Sequence, residues 1–151
     1  MSYIMDLRRY VGHSPLIMAD ACVLLLNEKN EILLHKRRDN GFWAYPGGSM
    51  ELGESFEECA KREVLEETGL ECLELSYFTH QSGSNMHYVY PNGDEIYTAG
   101  IVFVCRKYRR ELKVEESEVI EQRFFILDYL PDDISPMNRT VIEKLKGFMK
   151  S

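Results

Sequence analysis

The sequence predicts a single domain of the mixed α/β class, and three observations support this. Apolar runs typical of strands lie on both sides of one segment that carries helix start and stop signals. A second segment with helical spacing of apolar residues ends the chain. A length of 151 residues suits one buried core and is too short for two ordinary domains, and 44% hydrophobic with 28% charged residues is normal for a globular protein.

The N-terminal third is predicted to contain a short helix followed by two strands. Residues 3–10 have an amphipathic helical pattern, and Gly12 and Pro15 interrupt it. Residues 19–26 and 31–37 read as strands joined by a polar turn. We therefore expect residues 1–18 to form an N-terminal segment, a short helix packed on the domain, and residues 19–151 to form the domain itself.

The central helix is predicted from its end signals. Ser55 suits the N-cap, and Glu58 three residues later completes a capping box. Gly69 suits the left-handed position that follows a helix. The expected buried stripe consists of Phe56, Cys59, Ala60, Val64 and Leu65. A loop rich in glycine precedes this helix, so the backbone there can approach another group closely.

Four strands and a helix are expected in the remaining half of the chain. The pattern of apolar residues and turns predicts strands at 73–81, 86–90, 95–105 and 122–126, and a helix at 139–150. The turn signal before the third of these strands is Pro91, Asn92, Gly93 and Asp94.

Charge and cysteine usage restrict the classes of partner. A formal net charge of −7 argues against an extended nucleic-acid surface, although a bound metal can supply positive charge locally. No apolar run is long enough to span a bilayer, and no signal-peptide pattern is visible, so a cytoplasmic location is expected. Four widely spaced cysteines without a CxxC pair are expected to be buried free thiols.

Three glutamates on the central helix indicate a metal site. At about 100° per residue, Glu63, Glu66 and Glu67 lie at relative angles of about 0°, 300° and 40°, which is one face of the helix. Like charges this close repel one another, and a hard divalent cation that binds carboxylates and phosphates removes the conflict. An ordinary solvated acidic face is the alternative that these three residues leave open.

The full spacing around these glutamates resembles the Nudix box at each defining position. That pattern is Gly48, five residues, Glu54, seven residues, Arg62-Glu63-Val64, one residue, Glu66-Glu67, one residue and Gly69-Leu70. The resemblance implies an α/β/α sandwich with a mixed β-sheet. It also implies a hydrolase that uses water and a divalent metal to cleave a nucleoside diphosphate linked to another group.

The resemblance assigns roles to the acidic residues. Glu66 and Glu67 are implied as metal ligands, together with the backbone carbonyl of Gly48. Glu63 is implied either as a further ligand or as the group that accepts a proton from the attacking water, and its spacing leaves both roles open. Mg²⁺ is the expected cation, with Mn²⁺ as the alternative.

Two further features of the catalytic machinery are expected. Arg62 and Glu54 are implied as an ion pair that orients nearby carboxylates. The resemblance also implies that one more acid approaches the metal from the loop before the last strand, and Glu118 stands at the offset from that strand that the family often shows. Its rivals are Glu115, Glu116 and Glu121, and a solvated turn is the simpler reading of the whole run.

The sequence signals for substrate contacts are less specific than the pattern of acidic residues. Trp43 and Tyr88 have rings that can stack on a base, although packing in the core is the commoner role. The segment around Asn138 resembles that of MutT-type enzymes in which an asparagine meets the purine, while an N-cap of the last helix is the competing and favoured reading. Arg37 is the candidate basic contact.

The expected partner is a small nucleotide, and a canonical or oxidised nucleoside triphosphate is the expected class. A non-catalytic nucleotide sensor on the same fold is the main alternative. ADP-ribose is disfavoured because Met86 stands where ADP-ribose pyrophosphatases have proline. Removal of pyrophosphate from RNA 5′ ends stays open because Lys36, Arg37 and Arg38 form a basic run. No membrane partner is expected, and a homodimer is left open.

Overall fold

The computed structural model describes residues 2–150 and contains three helices and eight strands within that range. In chain order these are α1 (Tyr3–Val11), β1 (Leu16–Leu25), β2 (Ile32–Arg37), β3 (Trp43–Ala44), β4 (Gly47–Ser49), α2 (Phe56–Thr68), β5 (Glu71–Gln81), β6 (His87–Val89), β7 (Glu95–Arg109), β8 (Val119–Phe125) and α3 (Pro136–Lys150). A 3₁₀ turn, Ser84–Met86, precedes β6.

The strands form two sheets, of which the larger is mixed. Its order is β4-β1-β7-β5, with β6 also paired to β7. β1 and β7 run parallel, whereas β4 pairs antiparallel with β1, and β5 and β6 pair antiparallel with β7. The smaller sheet has the order β3-β2-β8 and is antiparallel. The mixed sheet is as expected, and the separate three-stranded sheet is an addition to the expected architecture.

Side chains of β1 alternate between two cores because successive residues of a strand point to opposite faces. The core on the α3 side contains Cys22, Leu24, Val141, Ile142 and Leu145. The core on the α2 side contains Ala21, Val23, Cys59, Ala60 and Val64. The sheet therefore lies between α2 and α3, which is the α/β/α sandwich implied by the sequence.

The local signals of α2 are confirmed. Ser55 Oγ accepts from the Glu58 backbone N–H at 3.1 Å, and Glu58 Oε1 accepts from the Ser55 N–H at 3.2 Å. Gly69 is left-handed, with φ of 82°, and its N–H donates to Leu65 O. The buried stripe is narrower than expected, since Phe56 and Leu65 are exposed at its two ends.

Several elements are longer than predicted, and β7 and α3 are two of them. β7 continues to Arg109 because β5 pairs with it as far as Glu71, and the sequence alone does not reveal that pairing. α3 begins at Pro136, because proline is suited to the first turn of a helix, where its missing N–H costs nothing. All four cysteines are buried and free, as expected. Within residues 2–150, no helix is long and apolar enough to cross a membrane.

α1 is attached to the rest of the chain by polar contacts at both ends. The Tyr3 N–H donates to Glu51 Oε2 at 2.9 Å, in the loop between β4 and α2. The Arg8 guanidinium donates to Glu95 O at 2.7 Å, at the start of β7. The division of the chain into residues 1–18 and 19–151 stays a prediction.

Candidate metal and nucleotide site

The last two turns of α2 direct two glutamates against β4. Glu67 is 6% exposed, and its Oε1 accepts from the Gly47 N–H at 3.1 Å. Glu63 lies against Gly48 so closely that a Cβ added there would be 2.5 Å from the carboxyl carbon. Glycine at position 48 is thus required for the backbone to approach this carboxylate.

The two carboxyl groups of Glu63 and Glu67 interact unfavourably when both are ionised. They share a hydrogen bond, and burial raises the pKa of each. The negative charge of Glu63 raises the pKa of Glu67 further. A divalent cation removes this repulsion, and the available donors are all oxygen atoms, the kind that Mg²⁺ prefers. Glu63, Glu67 and the Gly48 backbone therefore fit a hard divalent cation.

The Arg62 guanidinium contacts the carboxyl groups of three glutamates, Glu54, Glu63 and Glu66. Its Nη2 donates to Glu54 Oε1 at 2.8 Å and its Nη1 to Glu63 Oε1 at 2.9 Å. These bonds to Arg62 lower the pKa of Glu54 to about 2. The expected pair of Arg62 and Glu54 is confirmed. Glu66 lies 3.3 Å from Arg62, with 58% of its side chain exposed.

An open cleft beside β4 brings part of the predicted metal set together. Its walls include Gly48, Glu63, Glu67 and Glu118, and also the basic side chains Arg37 and Arg38. Three of the four acidic candidates lie in the loop before β8, and the fourth, Glu121, lies within β8. Of the four, Glu118 is the one that lines this cleft. Glu66 does not line it, and no three acidic, cysteine or histidine side chains within residues 2–150 converge in a preformed metal cage.

Sequence reasoning missed His35, which lies directly behind Glu67. This residue of β2 is 1% exposed, and its Nε2 is 3.4 Å from Glu67 Oε2. Burial, followed by the positive charge of Arg37, lowers the pKa of His35 to about 4, so the ring is neutral near pH 7. Its Nδ1 has no hydrogen-bond partner among the described residues. An imidazole within the apolar run of β2 was the available signal.

A second cavity, of about 100 Å³, adjoins the cleft on the α3 side of the sheet. Gly47, Gly48 and Arg37 line both spaces, so the two share part of their walls. The polar groups of this cavity include Asp20 on β1, Gln81 on β5, Thr98 on β7, and Asn138 on α3. Apolar and aromatic contributors are Met18, Tyr88, Ile96 and Met137.

Asn138 and Tyr88 both line this cavity. Asn138 is the third residue of α3, and its Oδ1 accepts from the Tyr45 backbone N–H at 3.1 Å. The favoured reading of Asn138 as an N-cap is therefore wrong, because its side chain bonds a loop and not the helix end. Tyr88 Oη accepts from Asn40 Nδ2 at 2.7 Å, which fixes the ring at the cavity wall.

Two other candidate contacts occupy different surroundings. Trp43 is 5% exposed and packs edge-on against Phe125, with ring centroids 4.9 Å apart. It belongs to the core and does not line the cavity, so the stacking role expected for it is not supported. Arg37 stands at the junction of cleft and cavity, where Asp39 binds it through two hydrogen bonds of 2.9 and 3.0 Å.

Asp20 was also missed by sequence reasoning. It is 4% exposed on the cavity floor, and burial raises its pKa to about 7. Gln81 Nε2 donates to its carboxyl at 3.0 and 3.3 Å. A charged residue within the otherwise apolar run of β1 was the signal, because such a residue needs a partner or a ligand.

Comparison with known proteins agrees with this geometry. The model of the NUDIX domain family matches residues 16–145, and the chain therefore belongs to the Nudix family. Among solved structures, the MutT protein from Methanosarcina mazei is 25% identical, with a TM-score of 0.75, and the match covers 91% of this chain and 99% of that one. The MutT NUDIX hydrolase from Burkholderia pseudomallei, at 22% identity and a TM-score of 0.74, covers 86% and 98%.

Curated relatives differ in what they act on. The NAD-capped RNA hydrolase NudC of Vibrio vulnificus is 30% identical over 145 residues, which is 92% of this chain and 51% of that protein. A Bacillus subtilis protein, provisionally named 8-oxo-dGTP diphosphatase, is 57% identical over 49 residues, covering 32% of this chain and 33% of its own length. The chain thus spans about half, or less, of the length of these two relatives.

Proposed function

We propose that this chain is a divalent-metal-dependent pyrophosphohydrolase that acts on a small nucleotide. The observation that carries the proposal is that the acidic cleft and the cavity on the α3 side share residues of their walls. Because Gly48 and Arg37 line both spaces, one molecule can have its diphosphate beside Glu63 and Glu67 and its base in the cavity. The Arg37 guanidinium at the junction suits the negatively charged phosphates.

The acidic residues have distinct parts in this proposal. Glu63, Glu67 and the Gly48 carbonyl would hold the cation, and Glu118, which lines the same cleft, would be the further acidic ligand. Glu66 joins only by turning from Arg62, because its side chain is directed outward. When bound, the metal neutralises diphosphate charge and lowers the pKa of an attacking water. Arg62 orients Glu54 and Glu63, and its charge favours the ionised form of each.

Mg²⁺ is the proposed cation, with Mn²⁺ as the alternative, because every donor in the cleft is an oxygen atom. A canonical or oxidised nucleoside triphosphate is the proposed substrate class. The provisional activity of the Bacillus subtilis relative and the MutT neighbours support it. We further propose a cytoplasmic location, in keeping with four free thiols.

A 5′-capped RNA is the second candidate. The NudC relative aligns with 92% of this chain, and Arg37 and Arg38 both line the cleft, where they can meet further phosphates. The net charge of −7 favours the small nucleotide, since an RNA chain needs a longer basic track. A non-catalytic sensor remains the alternative if no turnover is found.

The test is a panel of nucleoside triphosphates, oxidised purine nucleotides, ADP-ribose, NAD-capped RNA and triphosphorylated RNA, with Mg²⁺, Mn²⁺ or EDTA. We expect EDTA-sensitive turnover of a triphosphate by the wild type and loss of turnover in Glu67→Gln. The matched control is Glu57→Gln, which removes an exposed carboxylate from the first turn of the same helix. Faster turnover of RNA would favour the second candidate. Ligand-induced stabilisation without any turnover would favour the sensor.

A further inference from the structure

We infer that Asp20 and Gln81 form a base-reading acceptor that selects nucleobases with two adjacent N–H donors, as on the Watson–Crick edge of guanine. The inference rests on the proposed function, since it assumes that a nucleotide places its base in the cavity on the α3 side of the sheet. It adds the class of base and the residues that choose it.

The Asp20 carboxyl lacks the partners that a buried acid requires. Among residues 2–150, no lysine, arginine or histidine nitrogen lies within 4.0 Å of it. Its side-chain donors are Gln81 Nε2, at 3.0 and 3.3 Å, and the weak donor Cys22 Sγ at 3.9 Å. A carboxylate has about four acceptor positions, so much of its capacity stays unused. Because the group lines a cavity, that capacity is available to a ligand.

The orientation of the acceptor is fixed by its neighbours. Tyr45 Oη donates to Gln81 Oε1 at 3.1 Å, and this bond leaves the amide nitrogen of Gln81 facing Asp20. On the other side, a Cβ added to Gly100 would be 1.9 Å from the backbone oxygen of Asp20 and 2.1 Å from its Oδ1. Glycine on β7 thus allows both the backbone and the carboxyl of Asp20 to lie close to that strand. Gln81 and this glycine therefore fix the position of the Asp20 carboxyl.

The walls of the cavity suit a flat ring. Met18, Ile96 and Tyr88 provide apolar and aromatic surfaces around a polar floor, which is the usual composition of a small-molecule site. The polar groups of Asp20 and Gln81 then determine which edge of the ring can bind. Guanine presents the N1–H and the exocyclic amine side by side, and both can donate to a carboxylate. Adenine presents an acceptor at N1, which an ionised Asp20 repels, and hypoxanthine lacks the exocyclic amine.

The experiment compares binding of GMP, IMP and AMP by calorimetry at pH 8 in EDTA. At this pH Asp20, whose pKa burial raises to about 7, is ionised, and without metal hydrolysis plays no part. GMP and IMP differ by the one amine. For a hydrogen bond to a charged acceptor, we expect wild-type protein to bind GMP roughly 10-fold to 100-fold more tightly than IMP. Asp20→Asn replaces one acceptor by a donor, and it should reduce the GMP to IMP ratio to near one. Asp128→Asn, at an exposed carboxyl outside the site, is the matched control.

Equal affinities for GMP and IMP in the wild type would overturn the inference, and this comparison needs no variant to fold. A preference for GMP that persists in Asp20→Asn would also overturn it, as would absence of binding by all three nucleotides. Failure of the proposed function is distinguishable, because it would leave the GMP preference intact while the metal-loaded protein hydrolyses no nucleotide.

Discussion

Replacing Asp20 by asparagine should change how the stability of the protein depends on pH. Burial raises the pKa of this carboxyl from 3.8 to about 7 in the folded protein. In the unfolded chain the group ionises near 3.8, so between pH 4 and 7 the unfolded state loses this proton first. Ionisation of Asp20 therefore destabilises the wild type progressively as pH rises through that range, and the loss is complete above pH 7.

The size of the effect follows from the shift. A rise of about 3 pH units, at 1.36 kcal/mol for each, corresponds to about 4 kcal/mol of free energy of unfolding. Since the residue is 4% exposed, little of this is screened by solvent. Asparagine has no such titration. The free energy of unfolding of Asp20→Asn, relative to that of the wild type, should therefore rise by about 4 kcal/mol from pH 4 to pH 8. Altered hydrogen bonds in the variant add a cost that does not change with pH.

Urea unfolding of both proteins at pH 4, 5.5, 7 and 8, followed by circular dichroism, measures this difference. Asp128→Asn serves as the control, because its carboxyl is exposed and its substitution should leave the pH dependence of the wild type unchanged. A free-energy difference between wild type and Asp20→Asn that stays constant from pH 4 to pH 8 would refute the reasoning. It would mean that Gln81 and solvent keep the folded carboxyl near its ordinary pKa.

Substitutions at three other positions test the site and the helix that carries it. His35→Leu removes the ring behind Glu67 and should weaken cation binding roughly 10-fold to 100-fold, as measured by calorimetric titration with Mn²⁺. His35→Gln retains a hydrogen-bond donor and should bind the cation more tightly than His35→Leu. Gly48→Ala should displace Glu63, because the new Cβ would be 2.5 Å from its carboxyl carbon, and turnover should fall while circular dichroism stays native. Ser55→Ala should cost about 1 kcal/mol in urea unfolding through the lost N-cap, with substrate KM unchanged.

Prediction from the sequence was most complete for α2, because the signals of this helix are local. Its capping box, its glycine stop and the spacing of Glu63 and Glu67 depend on neighbours within a few residues, so the sequence alone could place them. The direction of the Glu66 side chain could not be predicted in this way. Its direction depends on Arg62, which is also held by Glu54 from outside the helix.

Contacts between distant segments account for the misses. Asn138 looked like an N-cap because its partner, the Tyr45 N–H, is 93 residues away in the chain. Trp43 is part of the core because Phe125 of β8 packs on it, and that pairing depends on the second sheet. Asp20 meets Gln81 only because β1 and β5 both flank β7.

β4 lies at the edge of the larger sheet, and Glu63 and Glu67 therefore have a second structural role beside it. A strand at an edge has backbone groups without a neighbour, and these can pair with the strand of another molecule and start aggregation. Here Glu67 accepts the Gly47 N–H, and Glu63 lies directly against Gly48. The same carboxylates that suit a cation thus shield an exposed strand edge. Their removal is expected to endanger solubility as well as chemistry.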